Sequence, residues 1–118
     1  LYMTLDTADQ YWSSLVLTRD AYTCQHCGAR AVAAHHIEGR RKHSLRWRLE
    51  NGLSLCLDCH TGASTFSAHL TPKDFKAWFA RTFSARWMTI RALKHVMMKE
   101  REALAEFQLM LQDELDHR

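Results

Sequence analysis

All four cysteines of the chain fall in two Cys-x-x-Cys pairs, Cys24–Cys27 and Cys56–Cys59. Two thiolates on one tight turn supply half of a tetrahedral metal shell, and a second such turn supplies the other half. The pattern predicts a structural Zn²⁺ with no open coordination position, since four thiolates fill it. It also dictates a fold in which residues 24–27 and 56–59 meet, so that everything between them forms an insert. That insert is longer than the spacing of an ordinary zinc ribbon. Two other readings stand beside zinc: disulfides, if the protein is exported, and a thioredoxin-like redox motif for either pair alone.

At 118 residues the chain is the size of one domain with one real core. No apolar run approaches the ~20 residues that cross a bilayer, so no membrane partner is expected. Leu1 is not a start methionine, and the numbering is expected to begin inside a longer chain. The pI near 8.8 leans toward nucleic acid. The distribution of charge says more: Arg40, Arg41, Lys42, Arg46 and Arg48 cluster with no acid among them and with Trp47 in their midst. These five cations are expected to contact DNA phosphates, which position a duplex without reading its sequence. The plain alternative is a solvated loop balanced by Glu38 and Glu50. Trp47 either anchors that loop to the core or stacks on substrate.

A capping box at Thr7-x-x-Gln10, followed by Tyr11, Trp12, Leu15 and Val16 at helical spacing, predicts a helix over residues 7–19. Residues 23–28 read as the first knuckle, 31–37 as a strand, 38–50 as a basic loop, and 53–57 as a second strand after an Asn51-Gly52 turn. The second knuckle is expected to open a helix. Pro72 at a first helical position with Thr71 as N-cap predicts another, bearing Phe75, Trp78 and Phe79 on one face. From Ala85 onward neither proline nor glycine occurs. Ile90, Leu93, Met97, Leu104, Phe107, Leu111 and Leu115 there form the stripe of one long helix, packed on the domain or on a partner copy. The expected division is 1–84 for the core domain and 85–118 for a C-terminal helical extension.

Between the knuckles lies Ala34-His-His-Ile37, and after them come Asn51 and His60, the last fixed in place by its neighbour Cys59. Tyr22-Thr-Cys-Gln-His-Cys-Gly28, Ala34-His-His-Ile37 and Glu50-Asn-Gly-Leu-Ser-Leu-Cys-Leu-Asp-Cys-His60 together resemble the HNH endonuclease family with its zinc-binding cysteines. The likeness covers roughly residues 19–60 and is closest to small phage-type HNH proteins, where a segment like Phe66-Ser-Ala-His-Leu-Thr-Pro72 also follows. Each element alone is a weak signal; their order is specific.

The resemblance implies an α+β fold, a ββα-metal (His-Me finger) core stapled by the four-cysteine zinc site and flanked by helices. It implies metal-dependent hydrolysis of DNA phosphodiester bonds, with nicking or double-strand cleavage as output. By the family pattern His36 is the general base, Asn51 ties the loop that orients it, and His35 and His60 hold a catalytic divalent cation. Histidine suits the base role because its ordinary pKa near ~6.5 leaves it neutral at physiological pH. Neighbours on a strand point to opposite faces, so His35 and His36 are expected to do different jobs. One helical turn after His60 stands Ser64, a poor ligand. His69, supported by the phage-type likeness, is the expected third ligand if the chain bends at Gly62. A different supplier, or water and substrate oxygens, remains open there. Histidine nitrogens accept Mn²⁺, Ni²⁺ or Zn²⁺ as readily as Mg²⁺.

His26 is expected to be an exposed spacer in its knuckle, and His43, His95 and His117 surface residues. Expected partners are DNA and either a second copy or a phage packaging partner, in the cytoplasm of a bacterium or phage-infected host. A zinc-stabilised DNA-binding or packaging module with little or no nuclease activity is the alternative. A toxin- or restriction-type nuclease would use the same site, and RNA remains open as substrate.

Overall fold

Thr4, rather than Thr7, caps the first helix: its side chain accepts the Thr7 N–H at 3.1 Å, and α1 runs Leu5–Arg19. The expected capping box therefore lies inside the helix. Ala8, Trp12 and Val16, four residues apart, form its fully buried stripe. Ala21 and Tyr22, both at φ 53°, and Gly28 at φ 83° turn the chain through the first knuckle. The computed structural model describes residues 3–62 and 66–117.

Strand β1 (Ala33–His36) pairs antiparallel with β2 (Gly52–Leu55), in the register Ala33↔Leu55, Ala34↔Ser54, His35↔Leu53, His36↔Gly52. Both strands are shorter than the runs expected. The Asn51-Gly52 pair is not a hairpin turn: Asn51 ends a 3₁₀ turn (Leu49–Asn51), and Gly52 is extended and already paired. Residues 37–51 make the connection instead, and the expected loop contains a short helix α2 (His43–Arg46). A two-residue turn was the wrong reading because Asn51 is fully buried and its amide is engaged by other backbone.

Helix α3 (Leu57–His60) opens from the second knuckle, and α4 (Pro72–Thr82) begins at the proline as expected. Thr71 does not cap it by its side chain. Its Oγ1 donates to the Ser67 carbonyl and accepts the Ser67 N–H, both at 2.9 Å, closing a clasp ahead of the helix. The single long helix expected after Ala85 is two: α5 (Ser84–Leu93) and α6 (Glu100–Asp116). Ser44 Oγ donates to the Leu93 carbonyl at 2.7 Å, and His43 Nδ1 meets the Met98 carbonyl at 3.3 Å, so the connecting segment is held from outside. Glu102 accepts the Lys99 N–H and restarts the helix. Met97 consequently leaves the stripe and is 96% exposed, and Leu115 is exposed as well.

The break separates two cores lying on opposite faces of the sheet. Leu53, Leu55, Phe75, Phe79 and Ile90 pack on one face with Trp87 and Leu93 of α5. Trp12, Val16, Trp47, Ala103 and Phe107 pack on the other, joining α1 to α6. The architecture is thus α+β, a two-strand antiparallel sheet among helices. Among the described residues, no helix is long and apolar enough to cross a membrane.

Candidate metal centre and histidine cleft

The ligand atoms of Cys24, Cys27, Cys56 and Cys59 all lie within 4.8 Å of one another. Tetrahedral Zn–S bonds of about 2.3 Å place sulfurs about 3.8 Å apart, and Cys27 Sγ and Cys56 Sγ are 3.5 Å apart. That separation is far beyond a disulfide's bond of about 2.05 Å. The four residues therefore fit a structural zinc site. Burial opposes ionisation of Cys24, but backbone N–H groups from Cys27, Cys56 and His26 outweigh it and bring its pKa to about 7. Burial pushes the Cys59 thiol the other way, a cost that a bound cation removes.

His26 is exposed, as expected, but is no mere spacer. Its Nδ1 lies 3.4 Å from Cys59 Sγ, and its ring stacks on Phe66 at 4.0 Å and meets the edge of Trp78. It thereby joins the first knuckle to α4. His43 is likewise tied to backbone, and His117 meets Asp113; His95 is exposed.

A second cluster forms beside the cysteines, where the ligand nitrogens of His35, His60 and His69 also lie within 4.8 Å of one another. His35 comes from β1, on the face it shares with Leu53, and packs edge-on against Phe75. His60 is placed by Cys59 beside it. His69 reaches the cluster through backbone pairing: the Ala68 N–H meets the Cys59 carbonyl at 2.8 Å and the His69 N–H meets the His60 carbonyl at 3.0 Å. The Ser67–Thr71 clasp holds that return. Gly62 is needed at its start, since a Cβ there would sit 2.5 Å from the Asp58 Cα. The Ser64 position lies outside the described residues. Burial first, and then the neighbouring His60 and His69, press the His35 pKa to about 3. Burial also lowers His60. Imidazole nitrogens are ordinary ligands of divalent cations, and these three are grouped closely enough to hold one ion.

His36 occupies the opposite face of β1, stacked on Trp12. Its Nε2 is 2.9 Å from the Arg46 carbonyl. A carbonyl only accepts, so Nε2 carries the proton and Nδ1 keeps the lone pair. Burial lowers its pKa to about 4 despite that bond. His35, His36 and His69 nevertheless line one open cleft of about 260 Å³, together with Pro72, Phe75 and Lys76. Asn51 secures the connection behind it: Oδ1 accepts the Glu38 N–H at 2.8 Å, and Nδ2 donates to the Glu38 and Leu45 carbonyls.

The five cations of residues 40–48 do not act as a set. Arg46 is buried, engaged by Asp9 at 2.8 Å and Glu100 at 3.0 Å, and is unavailable to a solvent-borne phosphate. Arg48 pairs with Glu50, while Arg40, Arg41 and Lys42 are exposed, Arg40 only loosely near Asp9. Trp47 anchors the segment, donating to Asp9 at 2.9 Å and packing against Phe107. Sequence reasoning missed Lys76 and the structural part of Glu38. Nothing in the spacing of 38 residues between them could have revealed their ion pair.

Comparisons with family models, with curated proteins and with solved structures found no match.

Proposed function

We propose that this chain is a metal-dependent endonuclease of the HNH type that hydrolyses DNA phosphodiester bonds, with β1, β2 and α3 as its ββα-metal core. The observation that carries the reading is a cluster of three histidines beside a fourth histidine of fixed tautomer. The ligand nitrogens of His35, His60 and His69 converge within 4.8 Å of one another, His35 and His69 share a cleft with His36, and the Arg46 carbonyl leaves the His36 lone pair on Nδ1. A divalent cation held by the three would neutralise charge on the scissile phosphate and assist the departing oxygen. His36 Nδ1 takes the proton of the attacking water, and the Nε2–H bond to Arg46 stabilises the imidazolium that results. Trp12 holds the ring in plane. Asn51 keeps residues 38–45 in the shape that presents the Arg46 carbonyl.

The second reading is a zinc-stabilised DNA-binding or packaging module. It is favoured by the exposed Arg40, Arg41 and Lys42, which attract a phosphate backbone without any chemistry.

A supercoiled-plasmid assay with wild type and His36→Ala in Mg²⁺, Mn²⁺ and Ni²⁺, with a metal-free control, separates the two. Metal-dependent nicking that disappears in His36→Ala is expected. If neither protein cuts in any metal while both retain zinc and retard the plasmid, the binding module stands instead.

A further inference from the structure

Among the described residues, Lys76 is the one cation that lines the histidine cleft, one helical turn along α4 from Pro72. Its Nζ lies 2.6 Å from Glu38 Oε2, and its side chain remains 41% exposed. The other oxygen of Glu38 meets the Nζ of Lys94, just past the end of α5, at 3.2 Å. Glu38 is buried, and both its backbone N–H and its carbonyl are held by Asn51. The two ammonium groups hold its carboxyl below the usual range, overcoming burial. One carboxylate between two ammonium groups leaves a net positive charge at the edge of the cleft. An ammonium has three donors; Glu38 takes one of those of Lys76, a residue that lines the cleft.

We infer that Lys76 binds a non-bridging phosphate oxygen of the nucleic acid in this cleft, and that Glu38 is the positioning residue that aims it. The inference rests on the nuclease reading and adds to it the group that balances phosphate charge from the protein side. The basic segment does not fill this place. Arg46 is buried, Arg48 is paired, and none of residues 40–42 lines the cleft. Lys94 neutralises the second Glu38 oxygen, so that Lys76 is oriented by the carboxylate without being cancelled by it. Asn51 consequently serves two ends: one amide sets the backbone at both the His36 loop and the Lys76 anchor.

The test compares wild type with Lys76→Met, Lys76→Arg, Glu38→Gln and, as a control, Arg81→Met on the same helix. Cleavage rates are measured on a fluorescein-labelled DNA duplex. Affinity against salt is measured with each substitution placed in the non-cutting His36→Ala background. Lys76→Met is expected to cut about 100-fold more slowly, and its log–log salt slope to fall by about 0.9, the loss of one phosphate contact. Lys76→Arg keeps the slope and most of the rate. Glu38→Gln keeps the slope, because Lys76 is still charged, but loses about 10- to 100-fold in rate, because the ammonium is no longer aimed. A merely structural role would move melting temperature and leave this split unseen. Lys76→Gln replaces Lys76→Met if the latter loses zinc. Wild-type rate and slope in a zinc-loaded Lys76 variant overturn the inference alone. Failure of wild type to cut in any metal overturns the nuclease reading, and this one with it.

Discussion

His36 lies flat on Trp12, with ring centroids 3.8 Å apart and planes 8° from parallel. Trp12 is itself fixed, donating its indole N–H to the Arg48 carbonyl at 2.9 Å, two residues from the carbonyl that holds His36. Helix α1 therefore sets the plane of this imidazole, while the Arg46 carbonyl sets its tautomer. The predictions below follow from that arrangement and from the two ligand clusters.

Burial holds His36 near a pKa of about 4, below the ordinary histidine value. A base must be neutral, so the acid limb of the cleavage-rate profile is expected well below pH 6.5, and a limb at or above 6.5 would contradict the assignment. The linkage has a matching sign. Between about pH 6.5 and 4 the unfolded chain binds a proton that the folded one refuses, so stability falls as pH drops through that window. Urea titrations of wild type and His36→Gln at several pH values would show the slope shrinking in the variant.

Gly52 pairs with His36 directly beneath α1, and an added Cβ would sit 2.5 Å from Val16 Cγ2 and 2.7 Å from Trp12 Cζ2. Neither neighbour is a flexible chain end. Gly52→Ala is expected to cost about 1–3 kcal/mol by overpacking and to displace Trp12 from His36. Equilibrium unfolding gives the first effect, and a change in tryptophan fluorescence gives the second.

Asn51→Ala would leave the Glu38 N–H and the Glu38 and Leu45 carbonyls without their side-chain partner at a fully buried position. A loss of about 3 kcal/mol or more is expected. Asn51→Asp should not rescue it, since a carboxylate accepts from the N–H but cannot donate to the carbonyls. A rescued melting temperature in Asn51→Asp would show that the amide network is not what matters.

The two clusters should part under chelation. Four thiolates bind zinc with folding free energy of their own, whereas three imidazoles with open positions exchange their ion readily. After dialysis against a mild chelator, metal analysis is expected to find about one zinc per chain, bound by the cysteines and lost together with the fold in Cys56→Ser. Cleavage should then require added metal and return on adding Mn²⁺ or Ni²⁺. Retention of full activity at one zinc per chain would refute the separate histidine site.

Local chemistry was legible in the chain wherever one segment carries its own signal. The paired knuckles announce a four-thiolate site because each turn holds two ligands within three residues. Alternation in β2 separates Leu53 and Leu55 from Ser54, and Pro72 marks the start of α4 because its ring suits a first helical turn. The α+β class follows from such signals. Misreadings arose where partners are distant in sequence. Asn51-Gly52 has the composition of a tight turn, yet three backbone groups from residues 38 and 45 bury the asparagine. Arg46 looks like its neighbours in a basic run, yet Asp9 and Glu100 neutralise it from two different helices. Residues 94–99 contain no helix breaker, and the break is held by Ser44 bonding to the Leu93 carbonyl and His43 meeting the Met98 carbonyl.

The sequence by itself determined which atoms are available: four thiolates, an adjacent histidine pair whose strand periodicity sends them to opposite faces, and a histidine riding on the second knuckle. Only the tertiary structure decided that His69 joins His35 and His60, that Trp12 and Arg46 fix His36, and that Lys76 rather than Arg46 faces the cleft. The reason is physical. Ligand type and strand parity are properties of a few consecutive residues, whereas convergence of side chains depends on packing and ion pairs between segments whose separation along the chain carries no trace of their contact.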